Sequence, residues 1–116
     1  MMLRGDIRMI DLDPTRPGEA NKARPAVIVS NDGANGSAAR RNRGVVTVLP
    51  LTSNVEHVYP FQVLVHAGEA GIERDSKVQA EQVRSVSIDR VLTRIGRVPP
   101  ERMLEVDEAL RLHLAL

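Results

Sequence analysis

Short aliphatic runs alternate with segments rich in glycine, proline, asparagine and charge along most of this 116-residue chain. Because β-branched residues dominate the runs and turn-forming residues bound them, the pattern predicts short strands. The predicted strands lie near residues 5–12, 25–30, 44–51, 59–66, 76–84 and 91–97. Five or six short strands of this kind indicate a small β-barrel.

Residues 100–115 carry the clearest helical period in the chain. The apolar stripe comprises Met103, Val106, Leu110 and Leu114, and the opposite, acidic side carries Glu101, Glu105 and Glu108. A pair of prolines fits the start of this helix, where missing N–H donors cost nothing. Asp107 and Arg111 are spaced to form an i,i+4 ion pair. Leu112 projects from the charged side, and we interpret it as an ordinary exposed leucine, with a subunit or partner contact as the alternative.

Two long loops separate the first three predicted strands. The first, residues 14–24, holds two prolines, a glycine and mixed charge, and a loop of this length in a small domain is often functional. The second, residues 31–43, holds two glycines and three asparagines, and one helical turn is predicted within it at 37–41. A further short helical connection is predicted at 87–91.

Composition limits the core and the location of the protein. A chain of 116 residues suits one core, so we expect a single domain over residues 1–116. Tyr59 and Phe61 are its only aromatic residues, so the core must be almost wholly aliphatic. Without cysteine, neither a disulfide nor a thiol nucleophile is possible. No apolar stretch approaches the ~20 residues that cross a membrane, and we expect a cytoplasmic protein with no membrane contact.

The net charge of +1 hides a basic segment. Between residues 22 and 43, five cations face a single acid, Asp32; the cations are Lys22, Arg24, Arg40, Arg41 and Arg43. Such a segment could bind a polyanion, because arginine offers a planar fork for phosphate oxygens and neutralised phosphates release counterions. A solvated loop is the alternative interpretation. With so few aromatic residues, recognition of nucleic acid would depend on hydrogen bonds, arginine planes and groove shape rather than on an aromatic platform.

The apolar run at residues 44–51 leads into a hydroxyl cluster headed by Thr52. Pro50 withdraws a donor from the ladder, so Thr52 should leave the sheet toward solvent. Upstream, Arg24 precedes Pro25, which biases the arginine toward extended geometry at the start of a strand. An arginine at a strand mouth can bind a phosphate.

Five sequence motifs are spread in order from Arg4 to about Ser85. They are RGDI at 4–7, DLDP at 11–14, RPAVIVSND at 24–32, TVLPLTSN at 47–54 and AEQVRS at 80–85. Together they resemble the MazF (PemK-like) toxins over nearly the whole chain. The resemblance implies a mainly β, SH3-like small barrel with a C-terminal α-helix, which forms a homodimer, cleaves single-stranded RNA without metal or cofactor, and is held in check by a cognate antitoxin. Arg8 departs from the family, which usually carries an aromatic residue after RGDI.

Metal-free RNA cleavage needs a base for the ribose 2′-hydroxyl, stabilisation of the phosphorane and an acid for the departing 5′-oxygen. Arginine stays cationic and can grip two phosphate oxygens, and a threonine hydroxyl can bond to the same phosphate. The resemblance assigns catalysis to Arg24 and Thr52. Otherwise, a surface salt bridge would be expected for Arg24 and a turn hydrogen bond for Thr52.

Further residues are candidates for contact with RNA. They are Ser53, Glu19, Asn21, Arg40, Arg41, Arg43, His57 and Gln82. His57 is the only histidine near enough to Thr52 in sequence to reach the site. Gln82 shares a predicted strand face with Val78 and Arg84, which favours structural support first and groove contact second. No metal site is expected, because the histidines lack ligand spacing and the acidic residues at 73–76 indicate a solvated turn.

Two other functions are compatible with a small barrel. A gyrase-poisoning toxin of the CcdB kind would share the barrel but bind a protein through its C-terminal residues. A noncatalytic SH3-like module would bind peptides through an aromatic-lined groove, which two aromatic residues are too few to line. We therefore favour a toxin that cleaves RNA and inhibits translation and growth. Its antitoxin would present an acidic, partly disordered segment to the same basic surface.

Overall fold

Seven antiparallel strands and a C-terminal helix dominate residues 1–12 and 23–116, the parts of the chain that the computed structural model describes. The strands are β1 (Asp6–Asp11), β2 (Ala23–Ile28), β3 (Val45–Thr52), β4 (Gln62–Val65), β5 (Ser76–Gln79), β6 (Arg84–Ser87) and β7 (Val91–Arg97). The helices are α1 (Asp32–Arg41), α2 (Ala67–Ala70) and α3 (Pro100–Leu114), and 3-10 turns cover Ala80–Gln82 and Ile88–Arg90. The predicted class, mainly β with a C-terminal helix, is confirmed.

β3 is the central strand of the sheet. The strands follow the order β4-β5-β3-β2-β1-β7, and β6 also pairs with β3. Val48 of β3 pairs with β2 on one edge and with β6 on the other. The path ends at β4 and β7, so the described sheet is not closed, and it is compatible with the predicted SH3-like barrel.

Two aliphatic clusters fill the two faces of this sheet. Because successive strand residues point to opposite faces, Val27 and Leu49 belong to one cluster, whereas Ile28 and Val48 belong to the other. α3 covers the first cluster through Val106, which is fully buried. Among the described residues, the buried hydrophobic side chains include no aromatic ring, which confirms the expected aliphatic core.

The strand predicted at 76–84 is interrupted. Val78 and Arg84 are six positions apart, whereas their partners on β3, Leu51 and Val48, are three positions apart. The 3-10 turn at Ala80–Gln82 takes up the three additional residues. The prediction that Gln82 shares a strand face with Val78 and Arg84 is therefore wrong. The strand predicted at 59–66 is also shorter and covers Gln62–Val65.

The loop at residues 31–43 forms a longer helix than the single turn that the sequence predicts. The Asn31 side chain accepts a hydrogen bond from the Ala34 N–H at 2.8 Å and so caps the start of α1. Asn42 ends the helix in the left-handed conformation, with φ of 49°. Asn35 is fully buried, and its Nδ2 donates to the Ser30 carbonyl at 2.8 Å. These contacts outweigh the low helix propensity of the two glycines in α1.

α3 is confirmed as a helix, with two corrections to its predicted side chains. Leu114 belongs to the predicted apolar stripe but is 47% exposed. Asp107 pairs with Arg4 at 2.7 Å and Arg111 pairs with Glu108, so the predicted pair between Asp107 and Arg111 is wrong. Leu112 is exposed, as expected. None of the described helices is long and apolar enough to cross a membrane.

Arg8 contributes to the pairing of β1 with the edge strand β7. Its backbone lies opposite Arg94, and its Nη1 donates to the Leu92 carbonyl at 3.2 Å. A guanidinium that binds a strand carbonyl thus occupies the position that is usually aromatic in the resembling family.

Candidate active site

A cleft lies beside the C-terminal end of β3. β2 pairs with β3 as far as Ala26 and Pro50, and continuing this register by two residues puts Arg24 opposite Thr52. The other edge of β3 changes partner from β6 to β5 at Pro50. Because proline has no N–H, it is tolerated where a ladder is interrupted. The end of β3 is thus paired with β5 on one edge and faces the cleft on the other.

The cleft has a volume of about 690 Å³ and three walls. The start of β2 forms the first wall, together with neighbouring side chains of β1 and β7. The end of β3 forms the second, and the loop between α2 and β5 forms the third. The lining residues are Met9, Arg24, Pro25, Leu51, Thr52, Ser53, Gly71, Ile72, Glu73, Arg74, Ser76 and Ile95. The structure therefore brings Arg24, Thr52 and Ser53 to one cleft.

Arg24 is exposed, and its position is fixed through the backbone. It pairs with Ile10 on β1, and Pro25 restricts the chain next to it. Ile10 is fully buried, so the strand that carries Arg24 is anchored to the core while its guanidinium reaches solvent. A cation held in this way can meet an anion without rearrangement of the backbone.

Thr52 is half-buried, and its hydroxyl has a structural partner. The Oγ1 atom accepts a hydrogen bond from the Asn54 N–H at 3.2 Å, which is the turn contact that the sequence also allows. A hydroxyl can accept one bond and still donate its proton. This turn therefore orients Thr52 without using its proton. Ser53 follows in the same turn and is exposed.

Glu73 and Arg74 line the cleft, although the sequence does not identify them as site residues. The stretch 73–76 resembles an ordinary solvated turn in sequence. No local pattern marks these side chains, because they reach the cleft through the placement of α2. The sequence would indicate these two side chains only if the contact between α2 and β7 were already known.

That contact depends on Gly96. A β-carbon on Gly96 would lie 2.1 Å from the carbonyl oxygen of Ala70, which is closer than real side chains approach backbone oxygens. Gly71 then turns the chain in the left-handed region, with φ of 74°. The close approach of two backbones at Gly96 thus sets where the α2–β5 loop meets the cleft.

Two carboxylates hold α2 and the following turn. Asp75 accepts a hydrogen bond from the Ala67 N–H at 2.8 Å, and this bond, with a smaller contribution from the His66 ring, lowers the pKa of Asp75. Glu69 accepts from the His66 N–H at 3.1 Å and from Arg102 Nε at 3.0 Å. The backbone bond from His66, followed by the Arg102 contact, lowers the pKa of Glu69. The hydrogen bonds thus stabilise the charged form of both carboxylates, which is the form that accepts these bonds.

The remaining candidates among the described residues lie outside the lining of the cleft. Arg40 and Arg41 end α1, Arg43 follows it, and all three are exposed. His57 lies in the segment between β3 and β4, and Gln82 lies on the 3-10 turn. Glu19 and Asn21 lie outside the described residues. Within residues 1–12 and 23–116, no group of three or more histidine, aspartate or glutamate side chains is placed to hold a metal ion.

Comparison with known proteins identifies the family. The model of the PemK-like, MazF-like toxins of type II toxin–antitoxin systems matches residues 3–114. The chain is 56% identical over 116 residues to endoribonuclease MazF9 of Mycobacterium tuberculosis, a match that covers 100% of this chain and 98% of that protein. It is 33% identical over 114 residues to endoribonuclease EndoA of Bacillus subtilis, which covers 97% and 94% of the two chains.

Solved structures show the same fold. An endoribonuclease from a mycobacterial species, in complex with its cognate antitoxin, superposes with a TM-score of 0.77 at 26% identity, covering 100% of this chain and 97% of that one. MazF from Deinococcus radiodurans superposes with a TM-score of 0.75 at 25% identity, covering 98% and 96%. The expected resemblance is confirmed in sequence and in structure, and the chain belongs to the PemK-like, MazF-like family of type II toxins.

Proposed function

We propose that this chain is the toxin of a type II toxin–antitoxin system and acts as a sequence-specific, metal-independent endoribonuclease on single-stranded RNA. One observation carries the proposal: Arg24 and Thr52 line one cleft in a chain that matches named endoribonucleases over nearly its whole length. Cleavage of messenger or other RNA would inhibit translation and growth.

The proposed chemistry uses the ribose 2′-hydroxyl as the nucleophile. Its oxygen attacks the adjacent phosphate, its proton leaves to a base, and the departing 5′-oxygen takes up a proton. Arg24 binds the non-bridging phosphate oxygens and stabilises the charge that grows on the phosphorane. Thr52 donates a hydrogen bond from its hydroxyl to the same phosphate, while the Asn54 N–H orients the hydroxyl oxygen. Both groups are anchored by strand pairing, so little reorganisation accompanies the transition state.

The partners follow from the same proposal. A related mycobacterial endoribonuclease is known in complex with its cognate antitoxin. We propose that this chain likewise has a cognate antitoxin, whose acidic and partly disordered segment competes with RNA for the cleft. We also propose that residues 1–116 act as one toxin domain, that the toxin is a homodimer and that it acts in the cytoplasm. The match of the family model to residues 3–114 supports the single domain.

The gyrase-poison hypothesis receives no support from the comparisons. The matching relatives named above are endoribonucleases and MazF toxins, which favours RNA cleavage over poisoning of a protein. The two hypotheses also differ in the role of Arg24, because a poison that acts through its C-terminal residues would keep its toxicity after Arg24→Ala.

The test is cleavage of a mixed-sequence single-stranded RNA in excess EDTA, with the fragment ends mapped. We expect discrete cuts by the wild-type chain and loss of cutting in Arg24→Ala and Thr52→Ala. Arg111→Ala and Thr93→Ala are matched controls, because both residues are exposed and lie outside the lining of the cleft. Cuts that persist in Arg24→Ala and Thr52→Ala would contradict the site assignment. No cutting by a folded, toxic wild-type chain would contradict the proposed activity itself.

A further inference from the structure

The tyrosine and the phenylalanine of this chain meet one histidine ring in a surface cluster. The rings of Tyr59 and Phe61 are stacked, with centroids 5.5 Å apart and planes 2° apart. The His57 ring lies 6.3 Å from Tyr59 at an angle of 35°. We call these three residues, which lie in the segment between β3 and β4, the aromatic cluster.

Lys77 ties the aromatic cluster to the sheet. Its Nζ donates to the His57 carbonyl at 2.5 Å and lies 5.7 Å from the centroid of the Tyr59 ring. The lysine is only 8% exposed, so its ammonium group has exchanged water for these contacts. A buried cation beside an aromatic ring is a stabilising arrangement. The segment that carries the rings is therefore fixed at Lys77.

Lys77 is also the cross-strand partner of Thr52. The two residues lie directly opposite each other on β5 and β3. Residues opposite each other in an antiparallel pair lie on the same face of the sheet, with Cβ atoms about 5 Å apart. The aromatic cluster is thus held one side chain away from the hydroxyl that we assign to the scissile phosphate. A nucleotide next to that phosphate would come within reach of the rings.

Tyr59 remains accessible to solvent within the aromatic cluster. It is 51% exposed although it packs against Phe61, whereas Phe61 itself is partly buried. Exposed aromatic rings beside a backbone-binding site are the platforms on which single-stranded nucleic acids stack their bases. The composition of the chain indicates too few aromatic residues for a platform, but the structure gathers both of them in one cluster, which Lys77 links to Thr52.

We infer that Tyr59 stacks on a base of the bound RNA, adjacent to the phosphate held by Arg24 and Thr52, with the His57 ring beside it. Phe61 supports the Tyr59 ring from the side of the protein, and Lys77 fixes the segment relative to Thr52. The inference rests on the proposed ribonuclease function and assigns a base-binding position within the same site. Tyr59 contributes to substrate binding and to the choice of cleavage site, not to proton transfer.

The test measures binding of a single-stranded RNA that contains the mapped cleavage sequence with a 2′-deoxy nucleotide at the cleaved bond, so that it binds without being cut. Tyr59→Leu keeps an apolar contact with Phe61 but removes the stacking ring. We expect it to bind roughly 5- to 150-fold more weakly, the range for loss of one stacked base. Tyr59→Phe should bind within about twofold of wild type, because it keeps the stacking ring. The control Val58→Ala should also bind within about twofold of wild type, because it changes only an exposed aliphatic neighbour of Tyr59.

A scan with abasic nucleotides identifies the stacked base. Removing one particular base should weaken binding to the wild-type chain but leave binding to Tyr59→Leu unchanged, because the ring that it contacts is gone. Equal losses in the two proteins at every position would overturn the inference, as would Tyr59→Leu binding as tightly as Val58→Ala. Thermal unfolding of Tyr59→Leu checks that the chain remains folded.

Failure of this inference is distinguishable from failure of the proposed function. If wild type cuts RNA, Arg24→Ala does not, and Tyr59→Leu binds normally, the base-binding role is wrong and the nuclease stands. If wild type does not cut RNA, the proposed function fails and the inference falls with it. A Tyr59→Leu variant that loses only its affinity for an antitoxin peptide would also overturn the RNA assignment.

Discussion

Substituting Gly96 by alanine should both destabilise the protein and displace one wall of the cleft. The new methyl group would lie 2.1 Å from the Ala70 carbonyl oxygen and 3.3 Å from the γ2 carbon of Ile72. Close contacts between carbon and oxygen lie at about 3.3 Å, so the two backbones would have to separate by roughly 1 Å. Forced shifts of this kind typically cost about 1–3 kcal/mol, a large share of the roughly 5–15 kcal/mol that stabilises a domain.

The assay is urea unfolding followed by far-UV circular dichroism, from which the free energy of unfolding is extrapolated. Gly68→Ala is the matched control, because no atom outside its own helix lies within 4 Å of the added methyl group. We expect a loss of about 1–3 kcal/mol for Gly96→Ala and none for Gly68→Ala, since alanine is the better helix former. Equal free energies of unfolding for Gly96→Ala and wild type would refute the reasoning.

The same substitution tests the link between fold and site. The loop that follows Gly71 carries Glu73 and Arg74 into the cleft. A shift of α2 away from β7 would carry this loop with it, so Gly96→Ala should also weaken RNA binding under conditions where the protein remains folded. Unchanged RNA affinity in a destabilised Gly96→Ala protein would show that this wall of the cleft does not take part in binding.

Two further predictions concern the loop itself. Arg74→Ala should weaken binding of all single-stranded RNAs alike. It should also reduce the slope of log affinity against log salt concentration by about 0.7, because the protein then neutralises one phosphate fewer. A slope equal to that of Arg111→Ala would exclude such a role for Arg74. Asp75→Asn should lower the free energy of unfolding at neutral pH. The pKa of Asp75 is lowered in the folded protein, so its charged form stabilises the fold at pH values above the pKa that this aspartate has in the unfolded chain. This stabilisation is lost as the pH falls through the pKa of Asp75 in the folded protein. In urea unfolding, the difference in free energy of unfolding between Asp75→Asn and wild type should therefore shrink below about pH 4. A difference that stays constant at all pH values would contradict this reasoning.

The elements that the sequence predicts correctly are those with a strong local pattern. The β-branched run that ends at Pro50 forms β3, and the apolar stripe around Val106 forms α3. In both segments the hydrophobic period agrees with the burial that the tertiary structure imposes. Arg24 and Thr52, which line the cleft, can be proposed from sequence because the motifs around them are part of regular strands.

The elements that the sequence does not predict depend on contacts between distant residues. α1 contains two glycines and has little helical preference, and it forms because Asn31 caps it and buried Asn35 binds Ser30. The 3-10 turn at Ala80–Gln82 interrupts a strand pattern, because it absorbs residues for which β3 has no partners. Neither the contacts that form α1 nor the pairing that requires the 3-10 turn leaves a periodic signal in the sequence.

The register of β3 explains why so much of the proposed site depends on one strand. Thr52 lies opposite Arg24 when the β2 register is continued, and it is paired with Lys77, which fixes the aromatic cluster through the His57 carbonyl. A slip of β3 by one residue would turn Thr52 to the other face of the sheet and bury it among aliphatic side chains. The same slip would expose Leu51, which packs in the core. The burial that stabilises the sheet therefore also holds Thr52 between the strands that carry Arg24 and Lys77, so the proposed phosphate binding and the proposed base stacking both depend on one register.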